Sequence, residues 1–255
     1  MINNPLLKCY NTDGEIIITL RGTNSVIMCL KRYIIVVLVH VISFSIYSQP
    51  VIKPNFGLKS HETLEITKIE TNTDKTVVYL TIENRVEKGS FCADRNIYLI
   101  DPAGTRIKLQ KAEGIPVCPK SHEFTSVGEK LSFTLTFPPM TGEYAYIDIK
   151  EECSENCFSF YGVVLDEYIN SRLDEGFSLA ERGESLKALD KFTKMVDMTG
   201  KYNGIKALVY YNIVKLATDT GHTVQAGEYY KKLISMSSRG GKIYIDQLNL
   251  QGIRY

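Results

Sequence analysis

Two hydrophobic periods divide this chain. Between about Leu64 and Leu165, apolar residues recur at every second position. Thr76–Glu83 sets Val78, Leu80 and Ile82 on one face and Val77, Tyr79 and Thr81 on the other. Lys130–Phe137 alternates Leu131, Phe133, Leu135 and Phe137 with Ser132, Thr134 and Thr136. Successive side chains leave a strand on opposite sides, so this alternation marks strands with one face in a core. Shorter runs at 64–69, 96–100, 105–109, 144–149 and 158–165 repeat it. Asp101-Pro102-Ala103-Gly104 is a hairpin signal, and Pro138-Pro139-Met140-Thr141-Gly142 is a second break. About seven short strands with no helical period between them predict an antiparallel β-sandwich over 62–165.

From Asp166 onward the period becomes 3.6, and the chain repeats itself. An offset of 38 residues aligns Gly183 with Gly221, Ala188 with Ala226 and Phe192 with Tyr230. It also aligns Asp190 with Glu228, Lys194 with Lys232, Met195 with Leu233 and Val196 with Ile234. Each copy reads as a helix, a Gly turn and a second helix. Small Ala188 and Ala226 let helices approach, while Phe192 and Tyr230 fill the space between them. Two copies are visible where about three are usually needed to bury the apolar faces. The remaining cover must come from the tail 240–255, from the β region or from a partner. Ile243, Ile245, Leu248 and Leu250 give the tail apolar residues to bury.

The first fifty residues carry an address. An apolar run at 34–46 follows Lys31-Arg32 and ends in Ser45, Ser48 and Gln49, which is the layout of a secretory signal peptide. It falls short of the about 20 apolar residues that a membrane-spanning helix needs. Export of a product beginning near Gln49 is therefore expected, with an uncleaved membrane anchor as the alternative. Met28-Cys29-Leu30-Lys31-Arg32 is itself an ordinary n-region, so translation starts either at Met28 or at Met1. The second option leaves a long leader with a small strand at 15–20. Domain boundaries follow as 1–48 for extension and signal, 49–61 for a linker, 62–165 for the β domain and 166–255 for the helices.

Of six cysteines, Cys9 and Cys29 precede the apolar run. The other four, Cys92, Cys118, Cys153 and Cys157, are an even set suited to two disulfides in an oxidising compartment. Three pairings exist, and the sequence does not choose among them. Cys92–Cys118 with Cys153–Cys157 is favoured, because Cys92 and Cys118 flank the hairpin at 101–104 and the other two enclose a polar Ser-Glu-Asn loop. Zinc between Cys118 and His122 is a weaker reading, since Cys-x3-Cys lacks a second closely spaced ligand pair. The same three-residue spacing does not match a thioredoxin-type motif.

The helical region resembles the tetratricopeptide repeat, lengthened by four residues around Lys201-Tyr202-Asn203-Gly204. Gly176 takes the small-residue position of the first helix, and Val214 departs from that pattern in the second copy. The β region, with Thr81-Ile82-Glu83-Asn84 ending its second strand, resembles the small immunoglobulin-like domains of exported bacterial proteins. That second resemblance carries no activity with it. The first implies a partner-binding groove lined by the first helix of each pair, which picks out Asn170, Asp174 and Phe177, then Tyr211, Asn212 and Lys215. Phe177 and Tyr211 are equally well explained as packing residues.

Chemistry is sparse by comparison. His61-Glu62 and His122-Glu123 lack the second His of a helical zinc protease, and His222 stands alone. No nucleophile elbow, phosphate-binding loop or dinucleotide fingerprint is present. Asp94, Asp101 and Asp148 sit where turns and exposed strand faces put them. A glycan platform would have to use Tyr98, Tyr144, Tyr146 and Tyr161 in place of the absent Trp. With 30 Lys+Arg against 29 Asp+Glu, the net charge is +1, which removes the electrostatic case for a nucleic-acid binder or a polybasic membrane-surface protein.

The expectation is an α+β chain of two domains, an antiparallel immunoglobulin-like β-sandwich followed by a short all-α tetratricopeptide-like array. Its expected role is non-enzymatic, without cofactor or metal: protein–protein interaction or assembly, periplasmic or extracellular. The partner is another protein, with no nucleic acid, and the membrane is met only in transit. The alternatives are a ligand- or glycan-binding module and an enzyme with a dispersed site. Intact-mass measurement of the exported protein should find its N-terminus near Gln49; recovery of the full-length chain from the cytosol would overturn the address and the redox argument with it.

Overall fold

Each alternating segment becomes a strand. The computed structural model describes residues 8–10, 16–18, 49–142, 144–200, 202–236 and 240–255, and the apolar run at 34–46 lies outside them. The chain divides into two compact units, Met1–Tyr47 and Ser48–Tyr255. In the first, β1 (Lys8–Tyr10) pairs antiparallel with β2 (Ile16–Ile18).

The second unit is α+β: antiparallel sheets followed by helices. Its strands in chain order are β3 (Val51–Ile52), β4 (Leu58–Lys59), β5 (Leu64–Thr71), β6 (Thr76–Glu83), β7 (Ser90–Phe91) and β8 (Ile97–Ile100). They continue with β9 (Arg106–Lys108), β10 (Lys111–Glu113), β11 (His122–Glu123), β12 (Lys130–Phe137), β13 (Tyr146–Glu151) and β14 (Ser159–Val164). One sheet runs β10-β12-β6-β5-β3, another runs β4-β14-β13-β8-β9, and β7 pairs with β11 alone. β6 and β12 pair along their whole length, from Thr76 opposite Phe137 to Glu83 opposite Lys130. The inward residues of both large sheets meet in one buried cluster, with Leu64, Val78, Leu80 and Leu135 from the first and Leu99, Ile147, Ile149 and Phe160 from the second. At the 101–104 turn, the Asp101 carboxylate accepts the backbone N–H groups of Ala103 and Thr105, each at 2.8 Å.

Residues 49–61, expected as a linker, are part of both sheets. β3 adds to the edge of β5 and β4 to the edge of β14, so this segment crosses from one sheet to the other. Such short edge strands leave no periodic trace in a sequence.

Five helices follow among the described residues: α1 (Glu167–Glu181), α2 (Ser185–Met195), α3 (Asn203–Asp219), α4 (Thr223–Ser235) and α5 (Gly241–Leu250). Asp166 caps α1, its carboxylate accepting the Ile169 N–H at 2.9 Å. Gly183 and Gly221, the aligned glycines, both turn the chain at φ +77°, a left-handed conformation that glycine adopts without strain. Ala188, Ala226 and Phe192 are fully buried, and a Cβ on Gly176 would lie 2.8 Å from the Phe192 ring. α3 is buried nearly all round because α2, α4, α5 and β14 pack against it. The cover missing from a two-pair array thus comes from two sources, the tail helix α5 and the second sheet. Val164 and Ala145 share one cluster with Leu173, Leu208 and Tyr244.

Ala188→Leu or Ala226→Leu should lower unfolding free energy by about 1–3 kcal/mol through overpacking, whereas Val224→Ser, on an exposed position, should stay within about 0.5 kcal/mol. Urea denaturation checks both; equal effects would show that the aligned alanines are not close-contact positions.

Candidate functional site

Two of the six groove residues implied by the repeat, Asn170 and Asp174, lie against the chain's own 49–61 segment. Asn170 is buried; its Oδ1 accepts the Asn55 backbone N–H at 2.8 Å, and its Nδ2 donates to the Val164 carbonyl at 2.8 Å. Asp174 accepts the Asn55 side-chain amide at 2.8 Å. Phe177 packs edge-on against Phe192. Tyr211 is buried beside Tyr244, and its hydroxyl accepts from Gln251 Nε2 at 3.2 Å. Asn212 donates to the Leu208 carbonyl of its own helix, and the Lys215 ammonium lies 5.5 Å from the Tyr211 ring centre. The structure therefore gathers Asn170 and Asp174 around Asn55. It gives Tyr211 a packing role and leaves Asn212 and Lys215 in reach of solvent.

Asn55 and Tyr244 were not legible as site residues, one lying in the expected linker and the other in the tail. Tyr244 is fully buried where the helices meet the sheet, and an ideal Cβ on Gly57 would fall 1.7 Å from its hydroxyl. That hydroxyl has no hydrogen-bond partner among the described residues. Asp148 bears on it electrostatically, and burial pushes the Asp148 carboxyl above its ordinary range. The Gly162 N–H, donating to Asp148 Oδ1 at 2.6 Å, pulls the other way. Among the glycan candidates, Tyr98 is covered by the Arg106 guanidinium at 4.0 Å, and Tyr146 packs where a Cβ on Gly204 would stand.

Both favoured disulfides are present, Cys92–Cys118 and Cys153–Cys157. Between the loops they close, the buried Glu151 carboxylate accepts the N–H groups of Asp94 at 2.7 Å and Phe158 at 3.0 Å. Its acid strength is weakened by burial. His122 lies 3.2 Å from Glu129. The Thr125 hydroxyl and N–H, then His122, hold that carboxyl down at about 2. Glu151 commits both oxygens to loop N–H groups, and Glu129 commits its own to Thr125 and His122, which are structural uses. Among the described residues, no cluster of three His, Cys, Asp or Glu is placed to hold a metal ion, and no helix is long and apolar enough to cross a membrane.

A different surface stands open. The outward face of α4, with Val224, Gly227, Glu228 and Lys231, forms with Tyr255 an open concavity of about 780 Å³. No family model, no curated protein and no solved structure matches this chain.

The raised Asp148 carboxyl makes a pH prediction. Its proton binds more tightly in the folded state, so this group favours folding below its ordinary value of 3.8 and loses that contribution as pH rises through the raised folded value. At pH 7 the buried charge is a cost. Asp148→Asn, which keeps an acceptor for Gly162, should raise Tm at pH 7 by about 2–4 °C per kcal/mol relieved. The gain should vanish by about pH 3, where wild-type Asp148 is itself neutral. Calorimetry at the two pH values checks this; a pH-independent difference would assign the effect to packing.

Proposed function

We propose that this chain is an exported, non-enzymatic module for protein–protein interaction or assembly, built as an immunoglobulin-like β-sandwich that carries a short tetratricopeptide-like array. The observation behind this reading is a repeated exposed apolar position. Leu186 and Val224 stand one 38-residue period apart, at the start of α2 and of α4, and are 59% and 87% exposed. Solitary apolar residues on a surface are ordinary; the same position left open in both copies supports a role for this face in recognition. The inner helices, by contrast, are occupied by Asn55 and β14. Recognition is therefore assigned to the outer face, with Asn212 and Lys215 as what remains of the groove. The two disulfides favour an oxidising compartment, periplasmic or extracellular.

Tagged protein retrieved from an envelope extract should bring down a stoichiometric protein partner, its own copies included. Leu186→Asp with Val224→Asp should reduce recovery by about tenfold or more, as expected for loss of anchoring apolar contacts. Asn212→Ala with Lys215→Glu should leave most of it. The reverse ranking would return recognition to the groove, and an empty retrieval with wild type would overturn the reading.

A further inference from the structure

We propose that the chain assembles head to tail with further copies of itself, a loop knob on the acidic β half of one copy seating in the concavity beside α4 on the basic half of the next. This deepens the assembly reading above and rests on it.

The net charge of +1 conceals a separation. Residues 49–184 hold 22 Asp and Glu against 15 Lys and Arg. Residues 185–242 hold 10 Lys and Arg against 4 Asp and Glu. The sheets and α1 are thus acidic, and the helices from α2 onward are basic. With so little net charge, copies do not repel one another as wholes, and opposite halves attract.

The concavity has an apolar wall and a free cation. Val224 is the most exposed large apolar residue in the second unit. Gly227 leaves room for the Tyr255 ring, which an added Cβ would approach to 3.4 Å. Tyr255 is held there by the Tyr230 ring and by a 2.8 Å hydrogen bond between its hydroxyl and that of Thr218. Glu228 is engaged by Lys232 at 2.7 Å, whereas Lys231 has no ion pair or hydrogen bond among the described residues.

The complement lies at one end of the β half. The segments 84–89 and 124–129 are tied together by backbone bonds from Asn84 to Glu129, Gly128 to Asn84 and Phe124 to Gly89, of 2.9, 2.7 and 2.9 Å. The Asn84 side chain adds a 2.8 Å bond to the Ser126 carbonyl. On this fixed base, Val86 and Val127 project at 61% and 58% exposure. Glu87 and Glu123 are exposed and unpaired among the described residues. Arg85 lies 3.6 Å from Glu62 and 3.8 Å from Glu83, while Lys88 and Lys120 are exposed and unpaired among the described residues. Two exposed valines on the acidic half answer Val224 and Tyr255, which stand beside Lys231 on the basic half.

Among the described residues the concavity is lined by α4 and Tyr255, and Val86 and Val127 are exposed, so knob and socket are both open within one copy. Because the two surfaces differ, the contact is heterologous: each added copy leaves one knob and one socket unfilled, and growth continues unless a ring closes.

Sedimentation velocity of the exported chain over about 5–200 µM, in about 20 mM and 500 mM salt, tests this, since screening at the higher salt shortens the reach of exposed charges. At low salt the protein should pass beyond dimer, and at high salt association should weaken by about tenfold or more. Lys231→Glu alone and Val86→Asp/Val127→Asp alone should each be monomeric. Their equimolar mixture should give heterodimers that stop at two, because only the Lys231→Glu copy has an intact knob and only the other an intact socket. Wild type that stays monomeric, association that both variants retain, or a mixture that does not combine would each overturn the proposal. A monomeric chain that still retrieves a foreign partner from the envelope would overturn self-assembly and leave the assembly reading standing. A monomeric chain that retrieves nothing ends both.

Discussion

Everything in the second unit depends on how the helices are seated on the outer face of the β4-to-β9 sheet. Two helix pairs cannot bury their own apolar sides, and α3, buried nearly all round, would otherwise expose a hydrophobic stripe to water. The seat is made by three small approaches. Gly57 admits the Tyr244 ring, Gly204 admits Tyr146, and Asn170 bridges the Asn55 N–H and the Val164 carbonyl. A side chain on either glycine would collide with an aromatic ring, and an apolar residue at 170 would strand two polar backbone groups in a buried seam. The β region therefore completes the core of the array, and the two form one unit.

The same logic accounts for the acids that first look like chemistry. Asp101 closes its turn on two N–H groups, and Glu151 ties Asp94 to Phe158 between the two disulfide loops. A carboxylate that accepts two backbone N–H groups offers a loop more than a neutral acceptor does, because charge-assisted bonds are the stronger ones. Asp148 is the exception. It makes one such bond, sits beneath the helices beside an unbonded tyrosine hydroxyl, and is the least comfortable charge among them.

The long alternating strands and the aligned helix pairs were readable because each repeats its own pattern over eight or more residues, as at Thr76–Glu83, Lys130–Phe137 and the Gly183 and Gly221 turns. The favoured disulfide pairing was readable from the hairpin that its first bridge flanks. The two-residue strands β3, β4, β7 and β11 were not, since a dipeptide carries no period and exists only because a neighbouring strand edge pairs with it. The groove met the same limit. Repeat periodicity identifies which helix faces inward, but what lies inside depends on a single asparagine, Asn55, whose role is fixed by contacts 115 and 119 residues away in sequence.

That occupation changes what the helices can offer. In an array with an open inner face, polar residues such as Asn170 and Asp174 would be available to a ligand; here both already hold a segment of the same chain. Opening the groove would require breaking the Asn55 bonds and withdrawing β4 from β14, and would expose Tyr244. An incoming peptide would have to replace all of that before gaining anything, so it starts at a disadvantage of several partly buried hydrogen bonds and one large aromatic ring. The outer helices carry no such debt. Leu186, Val224 and Lys231 are solvent-facing, so engaging them would break none of the contacts that hold the inner face. An array closed on its inside by its own neighbour leaves the outside as the face that needs no rearrangement to be engaged.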